Sequence, residues 1–170
     1  MDKEYRFRPI KNKEQLMDAL EYIHLACHKL CKKALGEYLP VAGNIGVFCH
    51  YDEEFAFLKK LQKELTDLSK CVYGKYFKFH TPVTIPAKDD IPETTYSYLY
   101  IRKPDPDKPQ VGDLDFSLEP EKYAQLKQSL HEGKIIKGAK ILPNRPDLDL
   151  IELSDPNIDA LGFIGDKNWQ

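Results

Sequence analysis

Thr94-Thr95-Tyr96-Ser97-Tyr98-Leu99-Tyr100-Ile101-Arg102 and Val111-Gly112-Asp113-Leu114-Asp115-Phe116-Ser117-Leu118 alternate polar and apolar side chains along their length. A period of two marks a β-strand with two unlike faces. The connection between them, Lys103-Pro104-Asp105-Pro106-Asp107-Lys108-Pro109-Gln110, is rich in proline and predicts a hairpin closed by a stiff loop. With residue 102 opposite 111, Tyr100 faces Asp113 and Tyr98 faces Asp115, while Leu99 meets Leu114 on the other side. One face of this pair is then core: Leu99, Ile101, Leu114, Phe116 and Leu118. The other carries Tyr96, Tyr98, Tyr100, Arg102, Asp113 and Asp115.

Outward from this pair, the strongest pattern lies upstream. Leu16, Leu20, Ile23, Cys27, Leu30 and Ala34 recur at the spacing of one helix face over 13–35. Asn12 is placed as its N-cap with Gln15 as capping partner, and Gly36 as its C′ residue. Residues 43–51 read as a buried strand. Asp52 is expected to cap a second helix, with Glu53 and Glu54 in the first turn and Leu58, Leu61, Leu65 and Leu68 inward. Residues 4–10 read as a short first strand, and 75–86 as a strand with Phe77 and Phe79 opposite Tyr76, Lys78 and His80. Pro120 opens a third helix with Tyr123, Leu126 and Leu130 inward, closed by Gly133. Short strands are expected near 135–142, 147–153 and 160–164. No internal repeat, low-complexity tract or linker is legible, so residues 1–170 read as a single α+β domain. Its expected architecture is a mixed, mainly antiparallel sheet with about three helices packed on one face.

Bulk composition narrows the class. Of 170 residues, 31% are charged and 42% hydrophobic, and the formal net charge is -2. Nucleic-acid binders carry a basic excess or stripe, and this chain has neither. No apolar run approaches the ~20 residues of a membrane span. The charged start, Met1-Asp2-Lys3-Glu4-Tyr5-Arg6, lacks the apolar core of a secretory signal, which points to the cytoplasm. Cys27, Cys31, Cys49 and Cys71 sit in apolar or half-apolar runs and read as reduced thiols rather than a disulfide framework.

Four constellations could carry chemistry. The foremost is the polar face, where Tyr98, Tyr100, Arg102, Asp113 and Asp115 make a ligand-binding set. Arg102 suits a carboxylate or phosphate through its planar fork. The tyrosines supply walls and hydroxyls, and the aspartates take amines, hydroxyls or a hard cation. The same side chains also occur on the solvated face of ordinary antiparallel sheets. Second, His24, Cys27, His28 and Cys31 share one arc of the first helix. One helix seldom supplies four tetrahedral ligands, and Cys27 lies on the core stripe, so no metal is assigned there. Third, His50 follows the second strand, where a free imidazole would serve as acid or base. Fourth, Glu152 falls by alternation with Leu148 and Leu150, and a carboxylate on an apolar face needs a partner or a role. His50 and Glu152 are therefore the catalytic candidates. No phosphate loop, dinucleotide fingerprint or nucleophile elbow is present, and the residues specify no cofactor.

The stretch Leu150-Ile151-Glu152-Leu153-Ser154-Asp155-Pro156-Asn157 resembles the closing motif of the vicinal-oxygen-chelate group, the glyoxalase and dioxygenase fold. In that group a glutamate near an Asp-Pro turn can ligate a metal, and Tyr98-Leu99-Tyr100-Ile101-Arg102 stands where a ligating histidine strand would lie. The resemblance covers about a third of the chain. It implies paired βαβββ modules and a metal-dependent enzyme with Glu152 as a ligand; the residues themselves offer His50 or His80 as its companions.

The leading expectation is thus a small-molecule-binding domain, with enzymatic activity open, holding a polar or anionic ligand on the Tyr/Arg/Asp face. A protein-interaction module using the same face is the alternative, since interfaces enrich Tyr and Arg. The metal-dependent enzyme is a third.

Overall fold

The computed structural model describes residues 8–142 and 150–166. Helix α1 (Lys13–Leu35) begins and ends where its caps dictate. Asn12 Oδ1 accepts from Gln15 N at 2.8 Å, and Gln15 Oε1 accepts from Lys11 N at 2.7 Å. At the other end Gly36 takes a left-handed φ of 79° and donates its N–H to Lys32 O. Strand β1 (Val41–Phe48) follows, then α2 (Asp52–Leu65). Asp52 is the first helical residue and not the cap, which is Tyr51 and makes no side-chain capping bond. The helix stops at Leu65 because Thr66 is already extended, its hydroxyl donating to Gln62 O at 2.6 Å. Leu68, expected on the inward stripe of α2, instead belongs to strand β2 (Thr66–Val72) and is 48% exposed. Strands β3 (Tyr76–Ile85), β4 (Thr94–Arg102) and β5 (Gly112–Leu118) precede α3 (Pro120–His131). Strands β6 (Ala139–Ile141), β7 (Ile151–Asp155) and β8 (Ile158–Asp166) are the last elements of the described residues. The strand expected at 4–10 lies mostly outside the described residues, and 8–10 is not strand.

The eight strands form one mixed sheet in the order β2-β3-β4-β1-β5-β8-β7-β6. Among the described residues only β1–β4 and β5–β8 are parallel. This order is two copies of one pattern, β1-α2-β2-β3-β4 and β5-α3-β6-β7-β8, joined through the antiparallel β1–β5 pair. Paired βαβββ units are what the vicinal-oxygen-chelate resemblance implies, although no repeat is legible in the residues themselves.

The expected hairpin is absent. Strand β1 lies between β4 and β5, so the Pro-rich 103–110 connection passes from β4 to β5 beyond β1. Gly46 pairs with both Tyr100 and Asp113, and Ile45 with both Leu99 and Leu114. A strand inserted in this register leaves Leu99, Ile101 and Leu114 on one face and Tyr100, Arg102 and Asp113 on the other, as expected. That is why the two faces survive although the pairing does not.

Side chains from all three helices join one hydrophobic cluster with Ile45, Val47, Leu99, Ile101, Leu114 and Phe116. Helix α1 packs chiefly on β8 and also on β5, β7 and β1, α2 on β4, β2 and β3, and α3 on β6 and β8. Tyr96 departs from its expected face. The β1–β4 ladder begins only at Asn44 and Tyr98, beyond Gly43 with its φ of 94°, and the β3–β4 register slips between the Lys78 and Val83 pairs. Upstream of that irregularity Tyr96 turns inward, is 0% exposed, and hydrogen-bonds through its hydroxyl with His24 Nδ1 at 2.6 Å.

The four helix residues set aside as a metal site are all buried. His28 Nδ1 donates to His24 O at 2.8 Å, and Cys27 Sγ donates to Leu161 O at 3.3 Å. Burial first, and then neighbouring His28, push His24 down to about 4, so it sits neutral in the core. All four cysteines are free. No helix among the described residues is long and apolar enough to cross a membrane.

Candidate functional site

The face of the sheet that carries Tyr100, Arg102, Asp113 and Asp115 encloses a cleft of about 600 Å³. That lies within the usual range for small-molecule sites. Gly46, in the middle of β1, is paired with Tyr100 on one side and Asp113 on the other, both of which line the cleft. A Cβ on Gly46 would overlap the Asp113 carboxylate and touch Tyr100. Without one, the Asp113 side chain lies across β1 toward β4. An isolated glycine inside a strand pattern commonly marks such a close approach.

Asp113 is 5% exposed, and Asp115 follows it two residues on along the same face of β5. Tyr76 Oη donates to both oxygens of Asp113 at 3.4 and 3.3 Å. Asn44 Nδ2 donates to Asp115 Oδ2 at 3.1 Å. Removal from water, and then the charge of Asp115, push Asp113 up to about 7; Lys75, the Tyr76 hydroxyl and Arg102 pull the other way. Burial likewise raises Asp115, against the Asn44 bond and Lys75. Burial and the like charge of Asp115 both favour the protonated form of Asp113. A group poised near neutrality can give or take a proton.

Aromatic rings surround the pair. Tyr76 and Tyr100 have ring centroids 5.4 Å apart, and Tyr73 meets Tyr76 edge-on at 6.2 Å. Burial raises the hydroxyl pKa of both Tyr76 and Tyr100, so each remains a donor. Lys75 extends from the β2–β3 turn, where Tyr73 and Gly74 take φ values of 56° and 71°. Its ammonium lies 5.0 Å from the Tyr100 centroid and 5.7 Å from that of Tyr76.

Arg102 borders the cleft at the end of β4. Its guanidinium carbon stands 3.5 Å from the Phe48 ring centroid, and Nη2 donates to Lys108 O at 3.2 Å. Its Nε is buried and, among the described residues, has no hydrogen-bond partner. Lys108, Asp107 and Gln110 bring the 103–110 loop to the same cleft. The opposite wall comes from β6, β7 and β8, including Lys140, Glu152 and Phe163.

Of the candidates expected from sequence, Tyr100, Arg102, Asp113, Asp115 and Glu152 thus line one cleft. Glu152 is paired across strands with Lys140, whose Nζ lies 3.4 Å from its Oε1. Its apolar-face neighbour Leu150 lines the cleft too, and Leu148 lies outside the described residues. Tyr98 is half-buried beside Asn44 and Lys78 and is not among the cleft residues. His50 is also outside the cleft. It is half-buried past the end of β1, its backbone N–H donating to Glu54 Oε1 at 3.0 Å. His80 is exposed on β3. The structure therefore does not gather Glu152 with His50 or His80. Among the described residues, no three His, Cys, Asp or Glu side chains are placed to hold a metal ion.

Lys75, Asn44, Gly46, Phe48, Lys140 and Phe163 were not legible as site residues. Of these only Gly46 gave a signal, as a glycine inside a strand run.

No protein-family model matches this sequence, and no curated protein matches it either. Among solved structures, one described as "Structural Genomics, Protein EC4020" superposes with a TM-score of 0.53 at 16% identity, over 94% of each chain. At that identity the likeness concerns the fold alone. A Streptomyces coelicolor methylmalonyl-CoA epimerase in complex with 2-nitronate-propionyl-CoA gives a TM-score of 0.35 at 13% identity, covering 75% of this chain and 98% of that one. So low a score carries no argument about function.

Proposed function

We propose that this protein binds a small organic anion in the cleft, with Arg102 as the group that grips its carboxylate or phosphate. The observation that carries this reading is the state of the Arg102 side chain. It lies over the Phe48 ring and is fixed at one end by Lys108 O, with Nε buried and unpartnered among the described residues. A guanidinium fixed in place with donors to spare is preorganised for an oxyanion. Lys75, Lys108 and Lys140 border the same space and add positive potential. Phe48, Leu150, Leu161 and Phe163 offer apolar wall for a carbon skeleton. Asp113 gives the cleft a group able to exchange a proton with such a ligand.

A concave site of this size favours a small molecule over the flat patch that a protein-docking face would present. Thermal-shift measurements across a panel of carboxylates and phosphates, on wild type and Arg102→Ala, test the reading. At least one anion is expected to raise the wild-type melting temperature and to lose most of that effect in the variant. Equal shifts in both proteins, or none in either, would remove the proposal's support.

A further inference from the structure

Asp113 and Asp115 pose a question that Arg102 does not answer. Two carboxyls on the floor of a cleft are costly unless something positive meets them. Among the described residues neither makes an ion pair. The nearest candidate is instructive. Lys75 places its ammonium over the faces of Tyr100 and Tyr76, the two rings that flank Asp113, and its charge acts on both carboxyls. Aromatic faces joined to carboxylates form the environment in which alkylammonium groups are held. The chain's own ammonium, on a turn built from two left-handed residues, occupies the edge of that environment.

We infer that the cleft recognises a zwitterion, whose ammonium lies against the Tyr76 and Tyr100 rings beside the Asp113–Asp115 pair and whose carboxylate or phosphate meets Arg102. This rests on the anion-binding reading of Arg102 and extends it by naming the ligand's other end. Gly46 is the positioning residue. Its missing Cβ lets the Asp113 carboxylate lie over β1 beneath the rings. Lys75 is then a tethered stand-in for the ligand's cation, which yields when the ligand arrives.

The test is calorimetric titration of the full chain with a homologous series of ω-amino carboxylates, the same carboxylates without the amine, and the corresponding alkylamines. A member of the amino carboxylate series is expected to bind wild type roughly tenfold or more tightly than its plain carboxylate. That advantage should vanish in Asp113→Asn/Asp115→Asn, an isosteric pair of changes. Lys75→Met, which keeps the stem and removes the competing charge, should tighten amino carboxylate binding about threefold.

Plain and amino carboxylates binding wild type equally would overturn the zwitterion inference while leaving the anion reading intact. Amines binding as well as amino carboxylates, with no effect of Arg102→Ala, would overturn the anion reading and with it the zwitterion. No binding by any member of the series would overturn both. The comparison of ligands on wild type stands even if a variant fails to fold.

Discussion

Asp113 shows how one side chain can be wrong for stability and right for a site. Facing it are Asp115 on its own strand, Tyr100 and Arg102 on β4, Tyr76 on β3 and Lys75 on the turn; the charge of Asp113 is also felt by Cys27 on α1, across the sheet. Its folded pKa lies above the unfolded value of 3.8. Below that value both states carry the proton and the group costs nothing. As pH rises through the folded value of about 7, the native chain must bury a charge that the unfolded chain solvates. Stability from this residue is therefore present in acid and lost on the alkaline side. Asp113→Asn cannot ionise, so it is expected to be more stable than wild type at pH 8 by roughly 2 kcal/mol. Urea unfolding at pH 8 and pH 4 checks this: the gap should be present at the first and gone at the second. The aspartates and Arg102 were legible as a set because alternation assigns faces. Lys75 was not, because an exposed-looking lysine beside a turn has no sequence pattern that aims it into a cleft.

At the scale of elements, α1 was legible to the residue because its caps and stripe are local properties of the chain. The start of α2 was less so. Glu54 reads in sequence as a first-turn acid favoured by the helix dipole. In the structure it is 1% exposed and ties three segments together: Oε2 accepts from Ile10 N at 2.6 Å and Oε1 from His50 N at 3.0 Å. No spacing rule reveals a carboxylate that reaches back to a residue 44 positions away. Glu54→Ala would strand two backbone N–H groups in a dry place and is expected to cost about 3 kcal/mol of unfolding free energy. Denaturant titration measures it, and a loss below ~0.5 kcal/mol would mean that the segment before α1 docks without this anchor. The β4–β5 hairpin failed at the same scale for a related reason. Two alternating strands and a loop fix which side chains share a face. They do not forbid a third strand, formed far upstream, from lying between them.

Across the whole molecule the repeated βαβββ pattern governs what can be seen. The two copies share backbone order but not side chains, so the duplication is legible in the topology and not in the residues. Parallel pairs β1–β4 and β5–β8 occupy the middle of the sheet, and β2 and β6 form its edges. Amide hydrogen exchange is expected to follow that order, with the slowest protons in Ile45, Val47, Leu99, Ile101, Leu114 and Phe116, all 0–2% exposed. The β6 and β2 edges should exchange at least ~100-fold faster. Uniform protection from edge to centre would contradict the sheet order.

Helix α1 heads the described chain yet packs chiefly on β8, its last strand. On a ribosome this helix emerges before its main docking partner. Between those moments Leu16, Leu20, Ile23 and Leu30 have no finished surface to cover them. Until β8 has cleared the exit tunnel, the nascent polypeptide therefore carries a greasy ridge open to chaperones and to its neighbours.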